Sequence, residues 1–327
     1  MMNQARRVIV WRVTQDCNLD CQFCSYSQSL ERIRQNADPA KVLRLGRILN
    51  EYSRQTGREV LVSWIGGEPL LWPSLLDVSS RFVHDFGLSV SATTNGVPLR
   101  SEKVIERIVD DFAEIVISID GFGGENDRVR QKPGLFEELK RNVSALCELK
   151  EKRGSALIVK VNTILMRNNI DEFGTFCELM RDWGVNELTF NQLGGYDRPE
   201  FFPDNRLLVT QVARFIDALP GWKNDFSEAG LRIHGNDAYL KRFQYSCRDE
   251  KIPVEDCAPG AWFWFVNENG LISPCSYTSY EYAIDVDAIS SPEELDAVEQ
   301  SFRQMRRDKR SRFCADCHCT QLFDKFA

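Results

Sequence analysis

The sequence predicts an α/β protein built on a parallel sheet, followed by a smaller module of different character. Three observations carry this reading. Through the first two thirds of the 327 residues, short β-branched runs alternate with amphipathic stretches, which is the pattern of repeated βα units. From Leu231 onward the alternation is lost. The eleven cysteines gather mostly toward the two ends of the chain.

Each element can be justified in order. Strands are expected at Arg7 to Val13, Val60 to Ile65, Leu88 to Thr93, Glu114 to Ile119, Leu157 to Leu165 and Glu187 to Asn191, where apolar residues alternate or run continuously. Helices are expected between them, around Pro39 to Arg54, Ser74 to Phe86, Ser101 to Asp111, Leu135 to Lys152 and Ile170 to Trp183. Six such units with right-handed crossovers imply either an open doubly wound sheet or an incomplete barrel, and in both the chemistry belongs at the C-terminal ends of the strands. YDRPEFFPDNR then reads as a loop and Leu207 to Leu219 as one more helix. In the last third, WFWFV-NENG-LISPC reads as a β-hairpin, because Asn269-Gly270 supplies the positive φ of a tight turn. Ser291-Pro292-Glu293-Glu294 opens a helix with a capping box.

Composition narrows the class. With 43% hydrophobic and 27% charged residues, the chain is a folded protein rather than a disordered one. Its longest apolar runs, such as Ala261 to Val266, are far too short to span a bilayer, and MMNQARR leads into the strand-like VIVWRV rather than into a signal-peptide core. A cytoplasmic protein without a membrane partner is expected. The formal charge of −7 does not attract polyanions, and the basic residues from Arg303 to Arg312 are interleaved like a solvated helix face, so nucleic acid is not an expected partner. In a reducing compartment, clustered cysteines are metal ligands or catalytic groups rather than disulfides. Cys147 and Cys177 each stand alone in a helical stretch and read as small buried hydrophobes.

Cys17, Cys21 and Cys24 follow the first strand directly. A C-x3-C-x2-C loop can turn three thiolates toward one point. Zinc, an iron-sulfur cluster or a redox thiol pair could each use them. A structural zinc needs a fourth ligand, and the nearest histidine, His84, lies on a predicted helix. Three thiolates on a four-iron cluster leave one iron open to a small molecule.

With Phe23 before its third cysteine, this loop resembles that of the radical S-adenosylmethionine superfamily, and further matches follow in the expected order. Gly66-Gly67-Glu68-Pro69 ends the second strand and is similar to the family's GGEP segment, which holds the methionine amino group. Thr94-Asn95-Gly96 ends the third strand as the family's TNG does. Ser118-Ile119-Asp120-Gly121 ends the fourth, where such proteins bind the ribose through short polar side chains. Arg130 resembles the arginine that pairs with the methionine carboxylate. Asn162 on the fifth strand and Phe190-Asn191 on the sixth match more loosely. The resemblance implies a partial (β/α)6 barrel of the TIM-like kind over residues 1–200. It also implies a 4Fe-4S cluster that passes an electron into S-adenosylmethionine, generating a 5′-deoxyadenosyl radical that takes a hydrogen atom from a C–H bond.

The remaining cysteines resemble the SPASM or twitch extension of radical enzymes, which carries auxiliary 4Fe-4S clusters. Cys257 and Cys275 bracket the hairpin, and Cys314, Cys317 and Cys319 follow after a long gap. The chain ends too soon after Cys319 to supply the full SPASM pattern, so a single-cluster twitch is expected, held by Cys257, Cys275, Cys314 and Cys317 with Cys319 as a substitute. Structural zinc at the same cysteines is the competing reading. Residues 201–245 would form a linking helix and connector, and residues 246–327 a small α+β domain. Cys247 stands apart: a spare thiol, an unusual cluster ligand, or a hydrogen-atom donor to a substrate radical.

The leading functional expectation is an oxidoreductase or maturase that abstracts hydrogen from a peptide or small natural product, leading to oxidation, cross-linking or epimerisation. A radical epimerase of a sugar, aminoglycoside or peptide using Cys247 is one alternative. A non-catalytic iron-sulfur or zinc module is the other, and a nucleoside pocket at successive strand ends argues against it. Only sixteen residues precede Cys17, so a peptide would be delivered by another protein or read by the groove itself. Tyr196-Asp197-Arg198 could face a small substrate or be a solvated loop. An electron donor such as flavodoxin or ferredoxin is the expected redox partner.

Overall fold

The computed structural model describes residues 6–195, 197–255, 257–258 and 260–320. Tyr196 of the loop singled out above lies outside the described residues, as do the first five residues of the chain. The strands are β1 (Arg6–Thr14), β2 (Glu59–Gly66), β3 (Ser89–Thr94), β4 (Glu114–Ser118), β5 (Ile158–Leu165), β6 (Glu187–Gln192), β7 (Arg232–Ile233), β8 (Phe263–Val266), β9 (Leu271–Ser273) and β10 (Ile284–Asp285). The helices are α1 (Pro39–Thr56), α2 (Leu75–His84), α3 (Glu102–Asp111), α4 (Gly123–Arg130), α5 (Leu135–Arg153), α6 (Phe173–Asp182), α7 (Phe202–Asn205), α8 (Val209–Glu228), α9 (Asp237–Cys247) and α10 (Pro292–Asp308).

Among the described residues these elements sort into two compact units, the first within residues 6–16, 33–92 and 251–320 and the second within residues 17–32 and 93–250. The expected segments 1–200, 201–245 and 246–327 are drawn along the chain, whereas the first unit joins both ends of it.

In the first unit the strand order is β10-β9-β8-β1-β2-β3. β1 pairs in parallel with β2 and, on its other edge, with β8, from Val8 opposite Phe263 to Trp11 opposite Val266. The strict alternation of β1 sends Ile9, Trp11 and Val13 inward. Arg7 is also buried; its guanidinium lies 4.2 Å from the centroid of the Trp264 ring and donates to the Gly260 carbonyl. The hairpin forms as the sequence predicts: β8 and β9 are antiparallel, and Gly270 takes φ +81° at the turn. α1 begins where Asp38 caps it, its carboxylate accepting from the Ala40 amide at 2.9 Å, and ends at Gly57 with φ +66°.

In the second unit β4, β5, β6 and β7 run parallel. Cys147 and Cys177 are buried on α5 and α6, as expected of small core residues. Several elements differ from expectation, among them α7, which occupies part of the segment read as a loop. α8 does not stop at Leu219 but runs through Pro220 to Glu228, because Trp222 packs its ring 5.5 Å from Phe173 and 5.9 Å from Phe215. That burial outweighs the helix bond that proline removes. α4, whose sequence GGENDRVR has no apolar stripe, and α9 fall where the sequence reading placed no element.

Candidate functional site

The cysteine loop belongs to the second unit, and its own polar residues shape it. Asp20 accepts from the Ser27 hydroxyl and, at 2.9 Å, from the Ser29 amide, while Gln28 donates to the Cys17 carbonyl at 2.8 Å. The Gln22 amide donates to the Val129 carbonyl at 3.0 Å, which ties the loop to α4. Phe23 packs beside Val129, Met166 and Leu193, with its ring 6.3 Å from Phe201. The aromatic residue before the third cysteine is therefore an anchor of the loop.

Two N–H groups already point at the sulfurs. The Tyr26 amide lies 3.4 Å from Cys24 Sγ, and Asn95 Nδ2 lies 3.8 Å from Cys17 Sγ and 2.6 Å from Asn18 Oδ1. Asn95 is held by its own turn, its Oδ1 accepting from the Val97 amide at 3.0 Å. Gly96 takes φ +80° there, and a Cβ on it would come within 2.4 Å of Leu139. Asn142 on α5 donates to the Gly96 carbonyl at 3.0 Å. Sequence reading assigned Asn95 to S-adenosylmethionine and passed over Asn18 and Asn142, whose contacts with the Asn95-Gly96 turn only the fold brings about.

Burial pushes the Cys21 thiol up to about 12 and Cys24 up to about 11, with the Arg130 charge opposing both. Thiols of this kind stay protonated at neutral pH unless a metal takes the proton's place. Arg130 and Asp120 are themselves 4% and 0% exposed and paired with each other at 2.7 Å. Asp120 also accepts from the Ile164 amide at 2.7 Å, and its own amide donates to Asn126 Oδ1 at 3.0 Å. Arg130 Nε and Asn126 Nδ2 are buried without a hydrogen-bond partner among the described residues, which is the condition of groups awaiting an acceptor. Ser118 closes β4 opposite Asn162. Asn162 Oδ1 is engaged by Thr189 at 3.0 Å and Asn191 at 3.2 Å, so the sheet itself occupies that acceptor.

The GGEP segment belongs to the first unit. A Cβ on Gly66 would sit 2.3 Å from the Thr14 carbonyl oxygen, and one on Gly67 2.2 Å from that of Asp16. The Gly67 and Glu68 amides donate to those two carbonyls at 3.0 and 2.7 Å. Only glycine permits so close an approach. Glu68 is fully buried, one carboxylate oxygen accepting from the Leu70 amide at 3.1 Å as Pro69 opens a short 3-10 turn.

The first unit also holds a cavity of about 300 Å³ lined by Cys257, Cys275, Cys314, Cys317 and Cys319, walled by Trp262, Phe263 and Phe313. Burial pushes Cys317 up to about 12 and raises Cys275 as well. Arg306 Nη1 lies 3.0 Å from Cys257 Sγ, and the Thr278 hydroxyl 3.3 Å from Cys275 Sγ. Among the described residues no three His, Cys, Asp or Glu side chains converge as ligands of a single ion would. A tetrahedral zinc needs sulfurs ~2.3 Å from one point. Five thiols lining one cavity are a donor set that zinc or an iron-sulfur cluster can take.

Cys247 does not line that cavity. It ends α9 in the second unit, its thiol directed at the Gln244 carbonyl 3.2 Å away, in a small recess with Gln192, Leu193, Phe202 and Arg206. Among the described residues no helix is long and apolar enough to cross a membrane.

Comparison with known proteins bears on the same features. A sequence model described as the radical SAM superfamily matches residues 11–180. An AdoMet-dependent heme synthase of Methanosarcina barkeri is 30% identical over 290 residues, covering 84% of this chain and 78% of that protein. The mycofactocin maturase MftC of Mycolicibacterium smegmatis is 23% identical over 316 residues, covering 94% and 74%. Among solved structures, SuiB of Streptococcus suis bound to S-adenosylmethionine superposes with a TM-score of 0.68 at 16% identity, covering 93% of this chain and 68% of that one. The fold is thus the α/β partial barrel expected from the sequence.

Proposed function

The chain belongs to the radical S-adenosylmethionine superfamily, and from that premise we propose that it is a two-cluster enzyme abstracting hydrogen from a peptide or small natural product. As a member it is an enzyme that binds S-adenosylmethionine and a 4Fe-4S cluster, and Cys17, Cys21 and Cys24 would hold that cluster. When bound, the two cofactors supply a 5′-deoxyadenosyl radical. The chain's residues do the rest. Phe23 anchors the loop, and the Tyr26 and Asn95 N–H groups donate to sulfur. Arg130, Asp120 and Ser118 would take the polar ends of the nucleoside and amino acid, as Gly66, Gly67, Glu68 and Pro69 would on their own strand.

The observation that carries the two-cluster reading is the five-thiol cavity. Cys257, Cys275, Cys314 and Cys317 would hold an auxiliary 4Fe-4S cluster of the twitch kind, with Cys319 as the substitute. Four protein ligands would make it an electron acceptor for the substrate radical. A flavodoxin or ferredoxin would reduce the enzyme. Cys247 remains the proposed hydrogen donor if the reaction is an epimerisation.

Anaerobic reconstitution with iron and sulfide, followed by dithionite and S-adenosylmethionine, should yield 5′-deoxyadenosine. Intact clusters without that product would sink the proposal. The combined Cys17, Cys21 and Cys24 to Ala variant should lose the product, and replacement of the five cavity cysteines should lower bound iron while leaving uncoupled cleavage. Cys247→Ala in deuterated buffer should abstract hydrogen without incorporating deuterium; unchanged incorporation rejects the donor.

Peptide substrates are supported by MftC, named as a maturase, and by SuiB, solved with its precursor peptide SuiA. A second reading takes a tetrapyrrole, favoured by the 30% identity to a heme synthase. Stimulation of 5′-deoxyadenosine formation by a porphyrin carboxylate, but not by candidate peptides, would select it.

A further inference from the structure

Arg306 is a buried cation beside one of the cavity cysteines. It stands in the last turn of α10, 8% exposed. Its Nη1 lies 3.0 Å from Cys257 Sγ, and its Nη2 donates to the Val254 carbonyl. The Val254 amide in turn donates to the Cys314 carbonyl at 2.9 Å, so the guanidinium fixes the backbone between two cavity cysteines. A neutral thiol is a weak acceptor, whereas a thiolate bound to iron accepts well from a guanidinium. Neighbouring Arg310 reaches the same carbonyl at 2.8 Å, but both oxygens of Glu255 sit 2.9 Å from its Nη1.

We propose that Arg306 is a positioning residue that hydrogen-bonds the Cys257 sulfur and raises the reduction potential of a cluster bound in the five-thiol cavity. This rests on the cluster reading of the cavity. Reduction adds one negative charge to a group already ringed by thiolates. A cation within hydrogen-bond reach favours that state, and N–H donation to sulfur acts in the same direction. The Thr278 hydroxyl beside Cys275 Sγ adds a second, neutral donor. Such a cluster accepts an electron from a substrate radical more readily.

The test uses the full chain with Cys17, Cys21 and Cys24 changed to Ala, so that iron reports on the cavity alone. Redox titration followed by electron paramagnetic resonance should show R306Q shifting the oxidised-to-reduced ratio about tenfold toward oxidised at a fixed potential, about 59 mV for a one-electron couple. R306K, which keeps a point charge but loses the planar fork, should shift it less. A midpoint unchanged in R306Q at undiminished iron content overturns the inference. Absence of iron from the triple-alanine chain instead removes the cluster reading, and the inference with it. Should R306Q fail to retain iron, pulsed resonance on reduced protein grown with 15N-arginine decides: a nitrogen coupling that disappears in R306K supports the contact, and no coupling overturns it.

Discussion

Two residues show how far local chemistry fixes behaviour. Gly67 can carry no side chain, since its Cβ would sit 2.2 Å from the Asp16 carbonyl oxygen, whereas a Cβ on Gly124 meets nothing within 4 Å. Gly67→Ala should therefore destabilise by about 1–3 kcal/mol through overpacking and weaken S-adenosylmethionine binding measured by calorimetry. Gly124→Ala, inside α4, should stabilise by about 0.5–1 kcal/mol in urea denaturation. Equal effects at the two glycines would remove the steric argument. The sequence gives GGEP away because two adjacent glycines and an acid at a strand end are unusual; the reason for the second glycine, the close approach of the Asp16 backbone just beyond β1, is visible only in three dimensions.

Glu187 makes a second case at this scale. Burial pushes its carboxyl up, but hydrogen bonds from His234 at 2.8 Å and Lys160 at 2.9 Å, with their charges, outweigh this and hold it at about 2. A carboxyl depressed on folding stabilises above its unfolded value of about 4.5 and loses that contribution as pH falls toward 2. Its side chain is 14% exposed, so with screening the contribution comes to about 2 kcal/mol. Glu187→Gln should flatten the acid limb of stability against pH between about 4.5 and 2, and a limb of unaltered slope would exclude the linkage.

Elements were legible where apolar period and end signals agree. α10 is the clearest: Ser291 accepts from the Glu294 amide at 3.4 Å, and Glu294 accepts from the Ser291 amide at 3.2 Å, both parts of the expected capping box. Ser291→Ala should cost about 1 kcal/mol in chemical denaturation. It should leave Arg306, four turns away at the other end of the helix, and thus the midpoint of any cavity cluster, unmoved. α4 and the second half of α8 were illegible for opposite reasons. GGENDRVR offers no periodicity, and its helix survives on bonds made elsewhere: the Val129 carbonyl to the cysteine loop, Asn126 to Asp120, and Arg130 to Asp120. In α8 a strong local stop signal, Pro220-Gly221, is overridden by the aromatic packing of Trp222. Arg306 was read as part of a solvated basic face because charge interleaving carries no sign of which arginine turns inward.

At the scale of the whole chain, the C-terminal cysteine segment reads as a separable extension, yet in the first unit it completes the edge of β1. β8 pairs with Val8 through Trp11, Trp264 lies under the Arg7 guanidinium, and Glu268, 4% exposed, takes Arg12 at 2.5 Å as well as the Gln15 side-chain Nε2. Gln15 lies two residues before Cys17. These contacts link positions some 250 residues apart, so nothing in local composition announces them. Truncation after Glu250 should consequently do more than remove the five-thiol cavity. It exposes the RVIVWRV edge, an apolar strand with unpaired N–H and C=O groups, and strips the buried Arg7 of the Trp264 ring and the Gly260 carbonyl. The truncated chain should therefore aggregate in size-exclusion chromatography, whereas the full chain with all five cavity cysteines replaced should elute as the parent does, because the hairpin still covers β1. A truncated chain that stays monomeric and binds S-adenosylmethionine with the parent's affinity would show the extension to be a separable domain after all.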